Sequence, residues 1–204
     1  MFASGVGGGL TVDLLLSGYR LAGVSYQVTA KLRLSDLLNS RSETFLLRHA
    51  SVLSLKGQVM ASLPEVSVQK TQIIAAIPKE SEDYKHQHQL YRVGMVKPTL
   101  VRVPVLALLP PYAATGKVHV PPNSDLSDPA HSGLLRFFPL TDTFLFLGEE
   151  RLYQGPVVLL NRDMLAVLGQ TGDEIQDPPG SRAEPEDRAI LDDVLSALNQ
   201  PFRR

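Results

Sequence analysis

Apolar and polar positions alternate along this chain in short runs broken by turn residues, the signature of half-buried strands. From Leu10 to Leu16, Val12, Leu14 and Leu16 alternate with Thr11, Asp13 and Leu15, and Ser17-Gly18 supplies a turn. The strictest alternation follows. Tyr26, Val28, Ala30, Leu32 and Leu34 are apolar, while Ser25, Gln27, Thr29, Lys31 and Arg33 are polar. This predicts a strand with Tyr26 facing inward. Leu34-Ser35-Asp36 comes next, where Ser35 or Asp36 can cap a short helix through Leu37, Leu38 and Asn39. Thr44 to Leu55 predicts a third strand, with Gly57 in the turn beyond it. Val66 to Ile77, ended by Pro78, predicts a fourth.

The same order then recurs. Leu100 to Leu109 reads as a strand ended by Pro110-Pro111, and Thr115 to Val120 as another, with Val118 and Val120 inward. Leu126-Ser127-Asp128 repeats Leu34-Ser35-Asp36, with Pro129 near the start of a helical turn. Phe137 to Leu147 and Val157 to Leu168 predict the last two strands. Tyr19 and Gly23 recur as Tyr112 and Gly116, and the offset between matching positions stays at about 92 residues. A constant offset across several elements points to an internal duplication. The expected fold is mainly β: two tandem duplicated small antiparallel units, barrel-like or sandwich-like, each with one short helix. The first unit spans 10–78 and the second 98–169, after a flexible lead at 1–9 and joined by a linker or long loop at 79–97.

Residues 170–184 are rich in Gly, Pro and acid and read as a disordered linker. Residues 185–204 change character. Pro185, Glu186 and Asp187 suit a helix start, and Ile190, Leu191, Val194, Leu195 and Leu198 form one apolar stripe. A lone helix of this length is marginal in water, so it is expected to dock, either on its own body or on a protein partner.

The Leu-Ser-Asp turn, the run Phe138-Pro139-Leu140-Thr141-Asp142 and the run Leu160-Asn161-Arg162-Asp163 together resemble a small bacterial domain family of unknown function. The first copy departs from that pattern: Leu47-Arg48-His49 stands where Leu-Thr-Asp is expected, and Lys70-Thr71-Gln72 where Asn-Arg-Asp is expected. The resemblance covers about 70 residues, present as a tandem duplication, and implies no activity.

Composition adds bounds. The chain has 204 residues, 44% hydrophobic and 20% charged, which is enough for a real core. Apolar runs are too short for a membrane helix, and the N-terminus lacks the basic and apolar regions of a signal peptide. With no cysteine there is no disulfide, thiol chemistry or thiolate metal site, which fits a reducing cytoplasm. Net charge is −1, but residues 170–204 hold eight acidic against four basic residues. An acidic tail beside a mildly basic first half could fold back, meet a basic partner or simply be solvated.

Candidate chemistry is sparse. Ser35-Asp36 and Ser127-Asp128 are adjacent pairs whose side chains diverge, so capping explains them better than catalysis. Asp142, Asn161, Arg162 and Asp163 could gather into a polar corner of the second unit, with Arg162 holding an anion, or they could serve as an ion pair and Asx turn. His86 and His88 share a strand face but lack a third ligand, so no metal is expected. No cofactor is expected either, since no Gly-rich loop follows a strand and opens a helix.

These features predict a non-enzymatic cytoplasmic binding or scaffolding protein, a β platform whose C-terminal helix docks a protein partner, with oligomerisation open to it through strand edges. The alternative is a nucleic-acid-binding small barrel. It would use Lys31, Arg33 and Arg48, beside Arg41, Lys56 and Lys70, but would lack exposed aromatics next to them. A third reading is an enzyme built on Asp142, Arg162 and Asp163.

Overall fold

A computed structural model describes residues 9–27, 32–79, 100–122, 126 and 135–172. The helix expected at 185–199 and the linker residues 80–97 and 173–184 lie outside them, as do His86, His88, Lys31, Ser127 and Asp128. The first half contributes β1 (Leu10–Leu15), β2 (Tyr19–Ser25), a one-turn helix α1 (Leu34–Leu38), β3 (Thr44–Ser54), β4 (Val59–Gln69) and β5 (Ala75–Lys79). The second contributes β6 (Val101–Leu109), β7 (Tyr112–Val120), β8 (Phe137–Leu147), β9 (Glu150–Asn161) and β10 (Val167–Gln170). A 3₁₀ turn separates β4 from β5 at Lys70–Gln72, and another separates β9 from β10 at Arg162–Met164.

All strand pairs are antiparallel, so the mainly β expectation holds, but the two units merge into one sheet of ten strands. Its order is β10-β6-β7-β8-β9-β5-β1-β2-β3-β4. Each half contributes the same internal order, with its last strand beside its first. The halves join where β5 pairs with the end of β9, Ala75 opposite Leu160 and Ala76 opposite Leu159. The strands at this seam are covered on both faces. Leu15, Ile74, Ala75 and Ile77 pack with second-half residues such as Tyr112, Leu140 and Leu160. Val12, Leu14, Ile73 and Ala76 pack with Phe45, Phe137 and Leu159 in a second cluster. Double burial explains why Ile73–Ile77 and Val157–Leu160 are continuous apolar runs instead of alternating ones.

Matching irregularities recur in the two halves. The β2–β3 ladder shifts register at Gly23, and the β7–β8 ladder at Gly116. Across from these glycines sit the positive-φ residues His49 (φ 49°) and Asp142 (φ 51°). A Cβ on Gly23 would lie 3.2 Å from the Arg48 carbonyl oxygen, and one on Gly116 only 2.7 Å from that of Thr141. The repeated Tyr-x-x-x-Gly is therefore the sequence trace of a β-bulge in which only glycine lets the backbones approach.

Three expectations are corrected. The alternating stretch Ser25–Leu34 is not a strand where it is described. β2 ends at Ser25, Tyr26 is 47% exposed instead of inward, and Leu34 opens α1 as one of its buried residues. Alternation reports two faces, not the presence of a neighbouring strand, and the first half's β2 is the less regular Tyr19–Ser25 that precedes it. Val66–Ile77 and Val157–Leu168 are each two strands, because the 3₁₀ turns redirect the chain to a different neighbour. The helix cap is Arg33, whose N–H donates to Asp36 Oδ2 at 3.0 Å, so Asp36 reaches back from inside the first turn.

The bulge geometry predicts that Gly116→Ala destabilises the protein by about 1–3 kcal/mol, the usual cost of overpacking, and that Gly23→Ala costs less. Chemical denaturation of the two variants tests the order; equal losses would contradict it.

Candidate functional site: the polar corner at the seam

β9 delivers Asn161 to the seam at its last position. The side chain is fully buried. Its Nδ2 donates to the Ile73 carbonyl at 2.8 Å, its Oδ1 accepts the Asp163 N–H at 3.1 Å, and its own backbone N–H donates to the Ile74 carbonyl at 2.9 Å. One amide thus caps the second half's 3₁₀ turn while tying down the backbone entering β5 of the first half. A side chain with both donor and acceptor ends suits this position; a carboxylate would turn its acceptor toward a carbonyl.

Asn39, just past α1, works from the opposite direction. Its Oδ1 accepts the Phe137 N–H at 2.9 Å, and its Nδ2 donates to the Phe137 and Ser35 carbonyls, both at 2.8 Å. The side chain mimics a strand and pairs with the first residue of β8, so the short first-half helix is held against the second half. A third bridge comes from Tyr112, whose hydroxyl donates to the Leu16 carbonyl at 2.9 Å. Burial pushes the Tyr112 phenol up to about 12, partly offset by the nearby Arg20 guanidinium.

Lys70 lies beneath this corner and is 1% exposed. Its ammonium donates to the Leu37 carbonyl, to the Ser40 carbonyl at 3.2 Å and to Ser40 Oγ at 2.9 Å. Burial lowers its pKa, and the charge of Arg136 lowers it further. Lys70 is therefore not part of an exposed basic face, as the sequence suggested; it fastens the end of α1 to the first half's 3₁₀ turn. On the outer side of the corner Arg136 Nε pairs with Asp163 Oδ2 at 2.9 Å, and Arg162 Nε lies 3.9 Å from Asp163 Oδ1.

Asn161, Arg162 and Asp163 are thus brought together, and Asp142 is not. Asp142 sits at the β8 bulge, five residues beyond Phe137 and so roughly 16 Å along the strand, where its carboxylate pairs with Lys117 at 3.5 Å. Sequence proximity in a motif did not translate into proximity in space because β8 runs away from the seam. Asn39 and Tyr112 were missed as site residues, and Lys70 was assigned to a basic face instead. Tyr112 left a trace, as one half of the repeated Tyr-x-x-x-Gly.

A second charged cluster surrounds Asp13, which is 3% exposed. Lys79 Nζ lies 3.0 Å and Arg20 Nη2 3.5 Å from its Oδ2. The sequence pattern made Asp13 outward-facing. Coverage of β1 by β2 and β5 buries it, and two cations compensate. Among the described residues no group of three or more His, Asp or Glu could hold a metal, and no helix is long and apolar enough to cross a membrane.

Searches against protein-family models, curated proteins and solved structures return no match to this chain.

Phe at position 112 removes the bridge to Leu16 without emptying the site. Tyr112→Phe is expected to lose about 1 kcal/mol at neutral pH. The pH dependence follows from the raised phenol. The unfolded tyrosine ionises near 10 and the folded one near 12, so the wild type loses stability across that interval. The variant lacks this loss, and its deficit should shrink above pH 10. Denaturation of both proteins at pH 7 to 11.5 tests this; a constant difference would refute it.

Proposed function

We propose that this chain is a non-enzymatic binding or scaffolding protein of the cytoplasm, in which the ten-stranded sheet is a rigid platform and residues 185–199 dock a protein partner. The observation that carries this reading is the use made of the polar corner. Asn161 and Asp163, the most chemically suggestive residues of the sequence, are engaged in holding the two halves and the 3₁₀ turn together. In sequence, the apolar stripe Ile190, Leu191, Val194, Leu195 and Leu198 follows the last strand, flanked by Glu184, Glu186, Asp187, Asp192 and Asp193. Such a segment suits an apolar groove with a basic rim, bound in the helix-in-groove manner. The absence of cysteine fits the compartment.

Deletion of 185–204 is expected to leave the thermal unfolding of the body unchanged and to abolish partner capture, and Leu191→Asp with Leu195→Asp to do the same. Capture that survives both changes would overturn this function.

One observation favours a second reading, nucleic-acid binding. Tyr26 is 47% exposed, and the Arg48 guanidinium lies 5.8 Å from its ring centroid, so an aromatic and a cation share one surface. Arg48 is also paired with Glu65 at 2.9 Å, which occupies part of its charge. This reading calls for binding of single-stranded RNA or DNA that weakens with salt and is reduced in Tyr26→Ala and Arg48→Ala. No binding at low salt ends it.

A further inference from the structure

The seam inside the chain uses one edge from each half: the outer edge of β5 and the outer edge of β9. Because the halves share one strand order, each also owns the edge that the other uses. The counterpart of β5 is β10, and the counterpart of β9 is β4. Two hydrogen bonds fix the first match, since Ile74 N–H donates to Leu15 O as Ala166 N–H donates to Leu108 O. Ladder positions fix the second, since Val68 faces Phe45 as Leu160 faces Phe138. These two counterparts, β4 and β10, are the two ends of the sheet.

Two of the four counterparts are open where the seam residues are filled; of the others, Val68 is buried in its own half and Leu168 is half-buried. Ala75 and Ala76 are fully buried, whereas Val167, the counterpart of Ala75, is 46% exposed. Leu159 is 4% exposed, whereas its counterpart Ser67 is exposed. Side-chain sizes are also matched across the open pair. At the filled seam two alanines on β5 face two leucines on β9. At the open edges Val167 and Leu168 would face Val68 and Ser67, so bulk lost from one strand is restored on the other. Val59, Met60 and Leu63 extend the same β4 edge and are 65%, 58% and 37% exposed. Pro64 and Glu65 interrupt this edge, but among the described residues no strand pairs with it, and its apolar positions on either side can template another strand.

We infer that the occupant of these edges is a second copy of this chain. β10 of one copy pairs antiparallel with β4 of the other, Val167 opposite Val68 and Leu168 opposite Ser67, in the register of the internal seam. Each copy has one edge of each kind, so a twofold arrangement engages both and closes the sheet on itself.

The test uses the full chain in sedimentation velocity across a concentration series. The wild type should pass from monomer to dimer as concentration rises. Lys blunts a strand edge, so Val167→Lys and Ser67→Lys, each at an exposed position, should separately remain monomeric. An equimolar mixture of the two should recover a one-to-one dimer, because each retains the edge that the other lacks. Hydrogen exchange of the unmodified chain provides a readout that does not depend on the variants folding: the amides of residues 66–69 and 167–170 should exchange more slowly at high concentration. A wild type that stays monomeric, with exchange at these edges independent of concentration, would mean that a segment of the same chain, another protein or water covers them, and would overturn the proposal. Variants that associate as the wild type does, or a mixture that fails to recover the dimer, would overturn it as well.

Discussion

The described structure depends on a buried amide doing what neither half could do alone. The β5–β9 pairing is only two residues long, too short to align two five-stranded sheets by ladder hydrogen bonds. Asn161 lengthens it by satisfying a carbonyl of the chain entering β5, while Asn39 extends β8 from the first half's helix. Each amide uses donor and acceptor together, so neither leaves an orphaned group in the apolar interior, where one would cost about 1–3 kcal/mol. With the seam aligned, the apolar clusters can form across it. Each of the two larger clusters is built mainly from one half and completed by residues of the other: Phe137 and Leu159 enter the first-half cluster, and Leu15, Ile74, Ala75 and Ile77 enter the second-half one.

The halves share an order but not an environment. The bulges at Gly23 and Gly116, the 3₁₀ turns and the turn-to-strand hydrogen bonds all recur. At the equivalents of the seam the repetition ends: Asn161 is matched by the exposed Gln69, and the buried Tyr112 by Tyr19, which is 48% exposed. One copy of each pair is specialised for the interface between halves, and the other faces outward at the sheet's ends. The asymmetry places the buried amide of Asn161 and the buried phenol of Tyr112 at the internal seam, and exposed side chains at the matching positions Gln69 and Tyr19.

The candidate site was legible in part. Asn161, Arg162 and Asp163 stand out in the sequence as a polar run closing an apolar strand, and the Asx turn expected there is present. Its role toward the other half was not legible, because Ile73, Ile74 and Asn39 are far from it in sequence and carry no pattern that points to it. Lys70 shows the same limit more sharply. As a residue type it belongs on the surface, and only the convergence of the Leu37 and Ser40 oxygens makes its burial tolerable.

The sequence by itself determined which stretches become strands at β1, β3, β6 and β8, where alternation and turn residues agree, and its recurring order of elements is the strand order that both halves show. Those properties are local, or repeat at a constant offset, and a linear reading can detect them. The tertiary structure decided that Tyr26, Gln27 and Leu32–Leu34 would lie outside a strand, that each long apolar run would break at a 3₁₀ turn, that Asp142 would part from Asn161, and that the two units would become one sheet. Each depends on which neighbour lies across a strand edge, and backbone pairing leaves no residue pattern of its own. The apolar runs at the seam record only that both faces are covered; what covers them is chosen by the fold.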